Sequence, residues 1–170
     1  MESIGIIGFG NMGSVIAHQL KATYKVHVFD KDKNRAVNVQ EIKVALDNAD
    51  LIKSVDIVIL AVKPQDIDEV LVEISNFSAA KLIISIVAGI PTLYIEKRLS
   101  QARVIRMMPN LPIWVGKGMI CICRGLSATD EDLNLVQRIF EDLGKTMLLK
   151  EEMMNAATVI SGSGPGYLYD

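Results

Sequence analysis

Gly8, Gly10 and Gly13 are spaced G-x-G-x-x-G within the stretch SIGIIGFGNMGSVIAHQLKA, Ser3 to Ala22. Glycines so placed suit the binding of a pyrophosphate. The first permits a tight reversal, the second lets a phosphate approach bare backbone, and the third lets a helix pack closely on a sheet. A helix starting there also turns free N–H groups and its positive dipole end toward the phosphates. The flanking residues supply those elements. Ile4-Gly5-Ile6-Ile7 reads as an apolar strand, and Met12, Ile16 and Leu20, with Val15 beside them, form one face of a helix.

A second apolar strand, Val26-His27-Val28-Phe29, ends at Asp30, 22 residues after Gly8. That is where a carboxylate accepting from a ribose 2′-OH belongs in a dinucleotide site. The next residues, Lys31-Asp32-Lys33-Asn34-Arg35, oppose that reading. Asp30 repels a 2′-phosphate, whereas Lys31, Lys33 or Arg35 would embrace one. NAD and NADP both remain open as cofactors, with Asp30 tipping the balance toward NAD. Asn48, in Asp47-Asn48-Ala49-Asp50, reads locally as the cap of a helix.

The rest of the chain offers less chemistry. Cys121 and Cys123, at i and i+2 in a strand, point the same way about 7 Å apart, too far for a disulfide. They read as structural thiols of a reducing cytoplasm. His18 and His27 are not near them in sequence, so no metal site is expected. There is no Ser/His/Asp set. With 18 basic and 20 acidic residues the formal charge is −2, which gives no general attraction to nucleic acid or an anionic membrane. The longest apolar run, Leu82 to Ile90, is far below the roughly 18 residues of a membrane span, and the N-terminus shows no basic leader.

Strands and helices alternate along the chain. Strands are expected near 42–44, 55–62, 82–87, 104–108, 119–123 and 146–149. Helices are expected from Pro64 to about Asn76, from Pro91 through Leu99, from Thr129 to about Leu143, and from Glu151 to Ile160. Thr129 with Asp132 resembles a capping box, and Gly144 is a natural stop. Pro109-Asn110-Leu111-Pro112 reads as an ordered loop rather than a helix. Near-continuous apolar strands such as Ile57–Leu60 suit a parallel sheet covered on both faces. The fold class is therefore α/β, a Rossmann-like doubly wound, mostly parallel sheet with flanking helices. Residues 1–160 form the nucleotide-binding domain, and the glycine-rich 161–170 reads as a linker into another domain.

Four stretches, IIGFGNMG, Ala61-Val62-Lys63-Pro64, Arg106 to Pro112 (RMMPNLP) and SGSGPGY, resemble in order and spacing those of pyrroline-5-carboxylate reductases. The resemblance spans the chain. It implies hydride transfer from NADH or NADPH to the C=N bond of 1-pyrroline-5-carboxylate, giving L-proline. It implies that Ile7, Gly8, Phe9, Gly10, Asn11 and Met12 hold the pyrophosphate and that Asn48 contacts the cofactor. Ala61, Val62, Lys63 and Pro64 would line the nicotinamide side with Val87, Ala88 and Gly89. Backbone is the safer expectation than the Lys63 charge. Met108, Pro109 and Asn110 would lie near the substrate. Gly166 stands where the family usually has alanine. The resemblance also implies a helical second domain that makes a homo-oligomer and completes the substrate pocket. Catalytic groups are thus expected mainly outside these residues, and the chain is expected to bind a dinucleotide but reduce the imine poorly. Another reductase of similar architecture, such as a β-hydroxyacid dehydrogenase, and a noncatalytic nucleotide-binding module are the competing readings.

Overall fold

The computed structural model describes residues 2–37 and 39–163. Eight strands form one sheet: β1 (Ser3–Ile7), β2 (Lys25–Phe29), β3 (Ile42–Val44), β4 (Ile57–Leu60), β5 (Leu82–Ser85), β6 (Arg103–Met108), β7 (Gly118–Arg124) and β8 (Gly144–Leu148). Their order is β3-β2-β1-β4-β5-β6-β7-β8. The first six strands run parallel, β7 is antiparallel to β6, and β8 is parallel to β7. The chain fills the sheet outward from β1 in one direction as far as β3, then returns to lay β4 on the other side of β1. The β1/β4 boundary is therefore the topological switch point, where loops diverge and leave a crevice.

Alternation along the strands divides the core into two layers. Ile4, Ile6, Ile57, Ile59 and Ile84 pack with Val15, Ile16 and Leu20 of α1 (Asn11–Leu20) on one face. Ile7, Val58, Leu60 and Ile83 pack on the other face. There they meet Leu51 and Ile52 of α2 (Asn48–Lys53) and Val70, Leu71 and Ile74 of α3 (Ile67–Ile74). Burial on both faces explains why these strands read as unbroken apolar runs.

Several boundaries differ from the sequence reading. Residues 109–112 are not simply a loop: a 3-10 helix runs Leu111–Val115, with Pro112 at a position where its missing N–H costs nothing. The helix expected to reach Leu143 ends at Ile139 as α5 (Asp130–Ile139) and is followed by a separate 3-10 turn, Glu141–Leu143. α4 is short, Thr92–Glu96. The last helical stretch begins as a 3-10 turn, becomes α6 (Met154–Ala157) and continues as a π-turn through Ser163, past the expected boundary at 160. Most of the expected linker, residues 164–170 with Gly166, lies outside the described residues.

The capping box at α5 is formed in both directions. Asp132 N donates to Thr129 Oγ1 at 3.2 Å and Thr129 N donates to Asp132 Oδ2 at 2.9 Å. Asp132 also pairs with Arg103 at the start of β6. Thr129→Ala removes one acceptor for an orphan helix donor. It is expected to cost about 1 kcal/mol, a fall in Tm of about 2–4 °C by thermal unfolding.

Candidate nucleotide site

The glycine loop is held from both sides of the switch point. Gly8 N donates to Phe29 O of β2 at 2.8 Å, and Ala61 N, just past β4, donates to Ile7 O at 2.8 Å. Gly8 has φ +99°, and a Cβ there would lie 2.5 Å from the Ala61 carbonyl oxygen. Gly13 sits where a Cβ would run into the Gly8 carbonyl oxygen, so α1 starts in direct contact with the loop. Gly10 differs. It caps α1 with no side-chain hydrogen bond and no acid in the first turn, and a Cβ there would meet only Arg35 Nη1, at 3.4 Å. The result is bare backbone and a helix N-terminus facing open space, which is what an anion needs.

Asp30 is more occupied than its sequence position suggests. Its Oδ2 accepts from Phe9 N at 2.7 Å, its Oδ1 accepts from Asp32 N at 2.9 Å, and Arg35 Nη1 lies 3.7 Å from Oδ2. The carboxylate, 7% exposed, therefore fixes the glycine loop and the following turn before any ligand arrives. A carboxylate has about four lone-pair sites, so acceptor capacity remains. Lys31 reaches across from the end of β2 to Asp66, in the turn after β4, at 2.6 Å. That hydrogen bond raises the Lys31 pKa above its ordinary value.

Asn48 is not the cap of α2. Asp47 is: its side chain accepts from Asp50 N at 2.7 Å, and Asn48 is the first helical residue. The cap moves one residue because the Asp47 carboxylate is the stronger acceptor and its backbone is extended. Asn48 is instead buried, at 5% exposure, with Nδ2 donating to Glu73 Oε2 at 2.7 Å. A carboxylate accepts only, which orients the amide and leaves Asn48 Oδ1 buried with no donor.

These features border one cleft of about 930 Å³. It brings together the expected Ile7, Gly8, Phe9, Gly10, Asn11 and Met12 with Asp30, Lys31, Asn48, Ala61, Val62 and Lys63. Met12, in the first turn of α1, is half-buried: it packs against the core as its helix face predicts and also borders this cleft. Gly13 supports the loop from behind and does not line the cleft; Pro64 opens the 3-10 turn next to it. Lys63 is exposed. Val87, Ala88 and Gly89, after β5, and Met108, Pro109 and Asn110, ending β6, fall outside the cleft walls, because they follow strands further along the same sheet edge. The Val87 side chain is buried in the core, so that turn presents backbone and the exposed Ala88 and Gly89. Asn110 ties its loop together: Oδ1 accepts from Met119 N at 2.9 Å and Nδ2 donates to Ser161 Oγ at 3.3 Å. The donor set suits a dinucleotide phosphate at Gly10 and hydroxyl donors at Asp30 and Asn48. Among the described residues no cluster of metal ligands is present.

Sequence reading missed a buried ionic network that joins β6 and β7 to the last helical stretch. Arg106, 1% exposed, donates through Nη1 to Glu151 Oε1 at 2.5 Å and through Nη2 to Asn155 Oδ1 at 2.9 Å. The other Glu151 oxygen accepts from Thr92 N at 3.1 Å and Thr92 Oγ1 at 2.7 Å. Burial pushes the Glu151 carboxyl up, but the Thr92 and Arg106 hydrogen bonds outweigh it and hold its pKa below the ordinary value. Cys123 is pushed up to about 12 by burial and by Glu151, so it stays a protonated thiol, 3.6 Å from Glu151 Oε2. The available signal was Arg106 itself, a cation inside the apolar strand Val104-Ile105-Arg106-Met107-Met108. Both cysteines are free and buried.

Residues 3–89 match a family model described as NADP oxidoreductase, coenzyme F420-dependent. The chain is 33% identical to the pyrroline-5-carboxylate reductase of Corynebacterium melassecola, over 99% of its own length and 67% of the relative's. The chain belongs to the pyrroline-5-carboxylate reductase family. The reductase of Methanosarcina acetivorans is 36% identical over 99% of this chain and 66% of its own length. The crystal structure of Plasmodium falciparum pyrroline carboxylate reductase with NADP bound superposes with a TM-score of 0.90 at 32% identity, covering 99% of this chain and 65% of that one. The chain thus spans just under two thirds of the length of these two pyrroline-5-carboxylate reductases.

Proposed function

We propose that this chain is the dinucleotide-binding part of an enzyme that reduces 1-pyrroline-5-carboxylate to L-proline with NADH or NADPH. The observation that carries the reading is the Gly10 cradle. It is bare backbone at a helix N-terminus, opening into a cleft bordered by Asp30 and by Asn48, whose Oδ1 is buried without a donor. The names of the relatives supply the substrate.

When bound, the reduced dinucleotide supplies the hydride for the C=N bond. The N–H groups at Gly10 to Gly13 and the dipole of α1 hold the phosphates. Asp30 and Asn48 accept from ribose hydroxyls and fix the nucleotide along the sheet edge. Ala61, Val62, Lys63 and Pro64, with the backbone of Val87 to Gly89, would line the nicotinamide side. Met108, Pro109 and Asn110 come next along the edge and set where the imine stands. This positioning converts an encounter of two molecules into an oriented contact. Residues 1–160 form this unit and 161–170 lead toward a helical domain. That domain makes a homo-oligomer, takes the substrate carboxylate and completes the pocket. Two free buried thiols suit a cytoplasmic setting.

Titration of the chain with NADH and NADPH, read by nicotinamide fluorescence, tests the first half of the reading. Saturable binding of at least one nucleotide is expected. Proline formation by the same chain is expected far below the ~10 s⁻¹ typical of enzymes. Ordinary turnover would show that no further domain is needed, and failure of both nucleotides to bind would refute the site.

A further inference from the structure

Of the three cations that could embrace a 2′-phosphate, the two that border the cleft, Lys31 and Arg35, are already committed, and Lys33 is exposed outside the cleft walls. Lys31 is held by Asp66 at 2.6 Å, and Arg35 lies between Asp30 at 3.7 Å and Asp32 at 3.5 Å. The carboxylates around the cleft are Asp30, Asp32, Asp47, Asp66, Glu69 and Glu73, against Lys31, Arg35 and Lys63. Two acceptors at the cleft lack a full set of partners. Asn48 Oδ1 is buried and has no donor, and Asp30 has lone pairs to spare. A ribose diol brings hydroxyl donors to these acceptors. A phosphate dianion brings acceptors and negative charge.

Resting on the dinucleotide reading above, we propose that Asp66 is a positioning residue that, by holding Lys31 across the cleft mouth, makes the site select the unphosphorylated ribose of NADH over the 2′-phosphate of NADPH. Asp66 does not lie on the strand that carries Asp30; it reaches the ribose end from the far side of the switch point. The exposed pair is weak alone. Its effect is that recruiting Lys31 to a phosphate leaves Asp66 without a partner beside Asp30 and Asp32, so the local charge stays negative while two more charges arrive.

The test is titration of the 170-residue chain and its variants with NADH and NADPH at low ionic strength, where surface charge is least screened. The unaltered chain is expected to bind NADH about tenfold or more tightly than NADPH, a difference of about 1.4 kcal/mol. Asp66→Asn is expected to strengthen NADPH binding several-fold and leave NADH within twofold. Asp66→Glu keeps the strap and is expected to behave as the unaltered chain. The gain from Asp66→Asn is expected to vanish in the Lys31→Ala background. Tighter NADPH binding by the unaltered chain, equal shifts for both nucleotides in Asp66→Asn, or a gain from Asp66→Asn that persists in the Lys31→Ala background would each overturn the assignment of Asp66. Failure of both nucleotides to bind every variant would overturn the dinucleotide reading beneath it, so the two failures are distinguishable.

Discussion

Gly13→Ala is expected to abolish nucleotide binding and lower stability together, whereas Gly10→Ala is expected to weaken binding with the fold intact. Both glycines belong to one motif, but their surroundings separate them. A methyl group at Gly13 meets the Gly8 carbonyl oxygen, which is backbone, and comes within 3.2 Å of the Ala61 methyl. Neither can rotate away, so α1 must lift from the loop. Overpacking of this kind costs about 1–3 kcal/mol, a fall in Tm of about 2–10 °C for a chain of this size. The same displacement carries the helix N-terminus off the phosphate position. At Gly10 the nearest atom is the end of the flexible Arg35 side chain at 3.4 Å, so a methyl group is accommodated. It stands where phosphate would meet the N–H groups. Losing one such charged hydrogen bond costs about 1.5–3 kcal/mol, roughly 10- to 100-fold in affinity. Thermal unfolding and nicotinamide fluorescence on both variants distinguish the roles. If Gly13→Ala retains Tm and affinity, the contact of α1 with the loop is not what places the site.

The contrast also shows what sequence pattern can convey. The spacing of Gly8, Gly10 and Gly13 is local, and each does there what a strand-turn-helix unit demands. The strands and their parallel order follow from apolar runs and helical punctuation, which are also local. What remained hidden depends on residues distant in sequence. Asp30 stands where a ribose ligand is expected, but only the fold shows its oxygens engaged by Phe9 N and Asp32 N. Asn48 looked like a cap because Asx residues near a helix start usually are. Its pairing with Glu73, 25 residues on, makes it an oriented amide with a free acceptor. Lys31 and Asp66 are separated by 35 residues and meet only because β2 and β4 flank β1. The 3-10 helix at Leu111–Val115 escaped for a different reason. Two prolines and an asparagine favour a turn, and tight helical turns use the same residues as loops.

Glu151→Ala is expected to destabilise the chain clearly, and Arg106→Leu/Glu151→Leu together less so. Arg106 is enclosed between β5 and β7, and its Nε already lacks a partner. Removing Glu151 leaves the guanidinium buried against Asn155 alone and strips Thr92 N and Oγ1 of their acceptor. Breaking a fully buried pair costs ~3–5 kcal/mol. The Glu151 side chain is 34% exposed, so water relieves part of that penalty and ~2–3 kcal/mol is expected. The double variant removes the uncompensated charge with its partner and should recover much of the loss, since leucines satisfy a buried space without desolvating an ion. A pH series gives an independent check. The folded Glu151 carboxyl titrates below its ordinary value of 4.5. Its contribution is therefore fully present above that value and is lost as pH falls through the lower folded value. Glu151→Gln should flatten that part of the acid limb of a Tm-against-pH curve. Hydrogen exchange locates the effect: amides of Glu151 to Thr158 should lose protection first, because the ion pair and the Thr92 hydrogen bonds fasten that stretch to the sheet. An acid limb identical in Glu151→Gln and the unaltered chain, or a double variant no more stable than Glu151→Ala, would mean that packing rather than the buried charge pair holds the last helix in place.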